Sequence, residues 1–262
     1  MPIFGVVNQK GGVGKTTTTV NLAAALASRG RRVLVVDGDP QGNATTGLGW
    51  ERATDKVTLF DLISDAVNQP DTVDVREAIY EAGPNVHLIP STIELAGAEP
   101  ILLGAVGKEQ ILAELLSTVS DLFDFVLIDS PPSLGLLTVN ILASADSVLI
   151  PMQCEYYALE GLSQLLRSIS LVSRRINPKL EVGRVVLTMY DPRNRLTQQV
   201  EADVRDYFGP KVCQTVIPRN VRLSEAPSFG EPAVLRFPSS KGAEAYVTLA
   251  DEILGVATEV NR

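Results

Sequence analysis

Apolar and polar positions in this chain follow two periods in turn. Short runs rich in Val, Ile and Leu predict strands at Ile3 to Val7, Arg32 to Val36, Val86 to Ile89, Phe125 to Ile128, Ser147 to Pro151, Gly183 to Thr188 and Val212 to Ile217. Longer amphipathic stretches between them predict helices at Lys15 to Ser28, Glu109 to Thr118, Leu136 to Ala143, Leu159 to Arg175, Leu196 to Phe208 and Gly242 to Leu254. Strand and helix in alternation make βαβ units, so the expected fold is α/β, a mostly parallel twisted sheet with helices on both faces. Several strand runs are apolar at nearly every position, as strands covered on both sides are. The Pro and Gly spots are single turns, and no repeat or low-complexity linker is found, so one domain over 1–262 is expected.

Composition adds exclusions. At 262 residues, 45% hydrophobic and 21% charged, the chain can bury a large core. No apolar run reaches the roughly eighteen residues of a spanning helix, and the N-terminus lacks the basic region of a secretory signal. A cytoplasmic location is expected. Cys154 and Cys213 lie far apart without metal-ligand spacing and read as small buried hydrophobes. His87, the one histidine, sits in an apolar run and reads as structural. The net charge of -8 means that any contact with nucleic acid must come from a local basic patch.

Candidate chemistry begins where the first strand ends. Lys10-Gly11-Gly12-Val13-Gly14-Lys15-Thr16-Thr17 joins that strand to a helix opening on Lys-Thr. Glycines let successive N–H groups point at phosphate oxygens, and the helix N-terminus adds partial positive charge. Lys15 is placed to neutralise the β- and γ-phosphates and the Thr16 hydroxyl to ligate Mg²⁺, which makes ATP/ADP the expected ligand. The usual pattern has glycine where this chain has Gln9, and a second lysine, Lys10, precedes the glycines. Two more acidic elements follow: Asp37 and Asp39 after the second strand, one residue apart and able to face the same side, and Asp129 closing the apolar run Phe125 to Ile128. A carboxylate at Asp129 can hold Mg²⁺ through water.

The loop from Lys10 to Thr16 resembles the deviant Walker A loop of the ParA/MinD ATPases. The resemblance continues through Asp37-Gly38-Asp39-Pro40-Gln41-Gly42-Asn43, Ser130-Pro131-Pro132, the segment from Glu155 to Gly161, the segment from Ile217 to Ser228, and Ser240-Lys241-Gly242-Ala243, and it is nearest the chromosomal Soj/ParA branch. It implies an ATPase that forms an ATP-dependent homodimer, with Lys10 reaching the partner's phosphates as an arginine finger does elsewhere. Asp39 would orient or activate the attacking water and join the metal shell; Asp37 would hold the loop and the magnesium shell. The branch's properties imply non-specific binding to double-stranded DNA, a nucleoid-associated location, and a ParB-like partner that stimulates hydrolysis, so that a chromosome or plasmid is segregated. Arg193, Arg195, Arg219, Arg222 and Lys241 are the candidate DNA cations, Arg193 and Arg222 foremost, and Met189, Pro218 and Asn220 the candidate adenine contacts.

Two alternatives share the fold. A MinD-like membrane-cycling ATPase needs a terminal amphipathic helix with a basic face, whereas the stretch from Ala250 to Arg262 is acidic and interrupted by Gly255, so no membrane contact is expected. An iron–sulfur reductase needs bridging cysteines, and Cys154 has no matching second one.

Overall fold

The apolar runs fold as strands of a single sheet in the computed structural model, which describes residues 1–51, 56–155 and 160–256. Among these residues the strands are β1 (Ile3–Val6), β2 (Val33–Asp37), β3 (Tyr80–Gly83), β4 (Val86–Ile89), β5 (Phe125–Asp129), β6 (Ser147–Gln153) and β7 (Glu181–Thr188). Their order is β3-β4-β2-β5-β1-β6-β7, and every pairing but the antiparallel β3–β4 is parallel. All five residues of β2 are buried: Leu34 and Val36 enter one core, Val33 and Val35 the core on the opposite face. Two-sided cover explains the missing polar alternation.

The helices are α1 (Lys15–Ser28), α2 (Asn43–Gly47), α3 (Leu59–Asn68), α4 (Ala98–Leu103), α5 (Ile111–Ser117), α6 (Leu136–Ser144), α7 (Glu160–Arg175), α8 (Arg195–Phe208), α9 (Val221–Glu225), α10 (Ala233–Arg236) and α11 (Lys241–Leu254). One core is built with α3, α5, α6, α7 and α8, the other with α1, α10 and α11. Helix α1 is buried along most of its length and packs against α11, where the buried Thr18 and Tyr246 hydroxyls share a 3.0 Å hydrogen bond.

Three expectations change. Val212 to Ile217 is not a ladder strand; it runs beside β7 through two separate bonds, from the Cys213 N–H to the Val185 carbonyl at 2.9 Å and from the Ile217 N–H to the Leu187 carbonyl at 2.8 Å, with isolated bridges at Val185–Val212 and Tyr190–Pro218. The Glu252 carboxylate accepts the N–H groups of Gln214 and Thr215, at 2.7 and 2.9 Å, and Pro218 has no N–H to offer. Edge strand β3 and helix α3 lie in a stretch where no element is expected, although Thr58 and Asp61 form a capping box at the start of α3. The helix expected from Leu159 is described from Glu160; 156–159 and 257–262, which carry part of the resemblance and of the C-terminal stretch, lie outside the described residues.

This topology sets up the site. Strands β2, β5 and β1 are neighbours, so the segments leaving their C-terminal ends emerge side by side, where the chain order reverses about β1.

Candidate functional site

At the end of β1 the chain enters the glycine loop, with Gly12 and Gly14 at φ 73° and 89°, conformations that an L side chain resists. Gly14 is the N-cap of α1 and supplies no side-chain cap, so the first N–H groups of the helix remain available to an anion. The loop rim opens on a cavity of about 450 Å³ lined by Gly11, Gly12, Gly14, Lys15, Thr16 and Thr17 on one side and by Asp39 and Pro132 on another. Gln41 and Asn43, at the end of the motif that begins at Asp37, also line it, and residues not anticipated complete it: Thr46 in α2, and Glu231, Pro232 and Ala233 before and within α10. Only their position in space marks Thr46 and 231–233, which lie outside the sequence motifs.

The two lysines of the loop diverge. Lys15 is 6% exposed, faces the cavity and approaches the Lys10 carbonyl at 3.4 Å. Burial holds its ammonium below the ordinary lysine range, against the opposing charges of Asp129 and Asp39. Lys10 is exposed, and its Nζ makes a 2.7 Å ion pair with Glu155. It does not line the cavity.

The three aspartates separate as well. Asp37 and Asp129 are register partners across β2 and β5, and both are fully buried. Asp129 accepts from the Thr16 hydroxyl at 2.6 Å and the Thr19 hydroxyl at 3.1 Å. Asp37 accepts from the N–H and hydroxyl of Thr45, at 2.8 and 2.7 Å, and from the Asp39 N–H at 3.2 Å. Burial pushes Asp129 up to about 7, with Asp37 adding repulsion, and pushes Asp37 up to about 6. The expectation that Asp37 and Asp39 share one side is corrected: Asp37 turns into the protein to hold the following loop, and of the two only Asp39 lines the cavity.

Met189 lines both this cavity and a smaller adjoining one, which Pro218 and Asn220 also line. It is a non-glycine residue at φ 50°, held there by bonds from Tyr190 N–H to the Ile217 carbonyl and from Arg219 N–H to the Tyr190 carbonyl. Val13 turns its side chain into the interior, and its carbonyl accepts from the Thr188 hydroxyl at 2.8 Å. Of the candidate cations, Arg193, Arg219 and Lys241 line one groove beside α11, while Arg195 opens α8 outside it. Arg222 is engaged elsewhere, in a 2.7 Å ion pair with Glu225 and 4.9 Å from the centre of the Phe237 ring. Both cysteines are buried, in the cores of opposite sheet faces, with thiols pushed up to about 11 at Cys154 and about 12 at Cys213. His87 packs edge-on against Phe123.

A parallel sheet with a phosphate-type loop at its reversal point, facing carboxylates on two adjacent strand ends, defines a P-loop nucleotide hydrolase. Comparison with known proteins narrows this. A family model described as an AAA domain matches residues 1–182. The sporulation initiation inhibitor protein Soj of Bacillus subtilis is 53% identical over 251 residues, covering 96% of this chain and 97% of that protein. The chromosome partitioning protein ParA of Caulobacter vibrioides is 47% identical over 254 residues, covering 96% and 93%. Among solved structures, cobyrinic acid a,c-diamide synthase from Mycobacterium smegmatis with bound ADP and magnesium superposes with a TM-score of 0.83 at 38% identity, covering 97% of this chain and 94% of that one. The Pyrococcus furiosus cell division ATPase MinD gives 0.78 at 32% identity, covering 98% and 99%. The chain therefore belongs to the ParA/MinD family of ATPases, on its Soj/ParA chromosome-partitioning side.

Proposed function

We propose that this ATPase partitions DNA by forming an ATP-bridged dimer that binds duplex DNA without sequence preference and lets go on hydrolysis. The carrying observation is the divergence of the two lysines, Lys15 turned to the cavity and Lys10 held outward on Glu155. A cation on the rim of a phosphate site, facing away from it, suits a phosphate of a second subunit.

Within one subunit, the N–H groups of residues 11–17 and the Lys15 ammonium would bind the β- and γ-phosphates, with Met189, Pro218 and Asn220 against the base. The Thr16 hydroxyl and Asp39 would hold magnesium, Asp129 would hold it through water, and the ion would supply positive charge to neutralise the phosphates. The donor set fits that ion. Thr16 and Asp129 already meet, and among the described residues no group of three or more His, Cys, Asp or Glu could hold a metal without the phosphates. Asp39 would orient a water so that its oxygen bonds to the γ-phosphorus as the bond to the bridging oxygen breaks, giving ADP and phosphate. A ParB-like partner would accelerate this step.

Gel shifts on duplex DNA of unrelated sequences, over a salt series with and without ATP, test the reading. ATP-dependent, sequence-independent, salt-sensitive retardation is expected, and Lys10→Ala should bind ATP but remain monomeric in sedimentation. Equal retardation without ATP, or a Lys10→Ala dimer as stable as the parent, would overturn it.

A further inference from the structure

We propose that Ser91 is a positioning residue for hydrolysis, fixing Asp39 from behind through the Asp39 main chain. This rests on the reading of Asp39 as the water-orienting group.

Asp39 stands on the segment joining β2 to α2, and its carboxylate must keep its place within about half an ångström to aim a water. One of its oxygens accepts from the Gln41 N–H at 2.9 Å, a contact inside the same loop that cannot anchor the loop to anything. Anchorage comes from a closed circuit of four buried residues. The Asp39 N–H donates to Asp37 at 3.2 Å, and Asp37 accepts from the Thr45 hydroxyl at 2.7 Å. The Thr45 hydroxyl oxygen in turn accepts from the Ser91 N–H at 2.9 Å, and the Ser91 hydroxyl donates to the Asp39 carbonyl at 2.8 Å.

Ser91 follows β4 at 2% exposure and does not line the cavity. Asp37, at the end of β2, and Ser91, two residues past the neighbouring β4, thus pin the N–H and the carbonyl of Asp39. The Asp39 carbonyl also accepts from the Gly42 N–H at 2.9 Å, so deleting the serine hydroxyl leaves no orphaned acceptor; it lets the loop shift. A shift at Asp39 affects the chemical step, whereas Lys15 and the glycine loop belong to another segment and keep their grip on nucleotide.

The test is steady-state ATPase with nucleotide affinity on Ser91→Ala, Ser91→Thr and Asp39→Ala. Ser91→Ala should lose roughly tenfold or more in kcat, with KM and ATP affinity within about twofold, and Ser91→Thr, which keeps a hydroxyl, should recover most of the rate. If Ser91→Ala does not fold, Ser91→Cys, close in size with a weaker donor, should show the same split in smaller measure. An unchanged kcat in Ser91→Ala or Ser91→Cys, a loss confined to KM, or no recovery by threonine overturns the proposal while leaving Asp39 in place. An Asp39→Ala variant that hydrolyses ATP like the parent overturns the reading of Asp39, and the Ser91 proposal with it.

Discussion

Two buried carboxyls stand side by side at the ends of β2 and β5, and their burial has a pH signature. Asp37 at about 6 and Asp129 at about 7 stand above the ordinary carboxylate range, burial being the first cause in both. Each holds its proton more tightly in the folded chain than in the unfolded one, so the stability it contributes is fully present below about pH 4 and is lost as pH rises towards about 7. The ligand-free protein should therefore melt progressively lower between about pH 4 and pH 7, and Asp129→Asn should flatten that slope. Calorimetry over this range decides it; a melting point that rises with pH would contradict the assignment. The residues of this pair were legible from sequence as aspartates ending apolar runs, and so was the loop from Lys10 to Thr17. Their orientation was not. Asp37 faces inward because Thr45, eight residues on, satisfies it, and Ser91 lies 52 residues from the Asp39 carbonyl it holds. Contacts at such separations leave no local pattern.

At the scale of elements, sequence periodicity located every long helix but α3, and every strand with two covered faces. It misplaced Val212 to Ile217 because an apolar run cannot report that Glu252 takes the Gln214 and Thr215 N–H groups between the two bonds to β7, and it passed over β3, whose Tyr-Glu-Ala-Gly has little apolar content. The wall of the cavity includes one close backbone approach that no motif marks. Gly49, after α2, and Gly230, before α10, lie back to back at φ 74° and 64°. A Cβ on Gly230 would stand 2.8 Å from the Gly49 Cα, and one on Gly49 would stand 2.7 Å from the Gly230 carbonyl oxygen. Gly230→Ala must therefore meet both the left-handed penalty of roughly 1–2 kcal/mol and a backbone clash. A loss of about 2 kcal/mol or more in urea unfolding is expected, with weaker ATP binding as Glu231 to Ala233 move off the cavity. Trp50, the sole tryptophan and the next residue after Gly49, gives the fluorescence signal. Stability equal to the parent's would show that the two loops separate freely.

For the whole molecule, a formal charge of -8 repels DNA, so the duplex binding proposed above requires a surface where cations gather and acids are held by other groups. The groove beside α11 gathers Arg193, Arg219 and Lys241, and two of the three acids on its wall are engaged: Glu252 by two backbone N–H groups and Asp191 by the Arg193 N–H, while Glu244 also lines it. Arg222, foremost with Arg193 on resemblance alone, is neutralised by Glu225 and lies against Phe237, which ranks it below the groove residues. Each cation that meets a phosphate releases counterions, and in a dimer each position counts twice. Arg193→Ala should therefore reduce the slope of log affinity against log salt by about 2, and Arg222→Ala should change it by less than about 1. Because phosphate contacts carry no base information, the loss should be the same on duplexes of different sequence. Titrations at several salt concentrations with ATP present measure both slopes. An unchanged slope in Arg193→Ala together with a large drop in Arg222→Ala would move the DNA face from the α11 groove to the surface around Phe237.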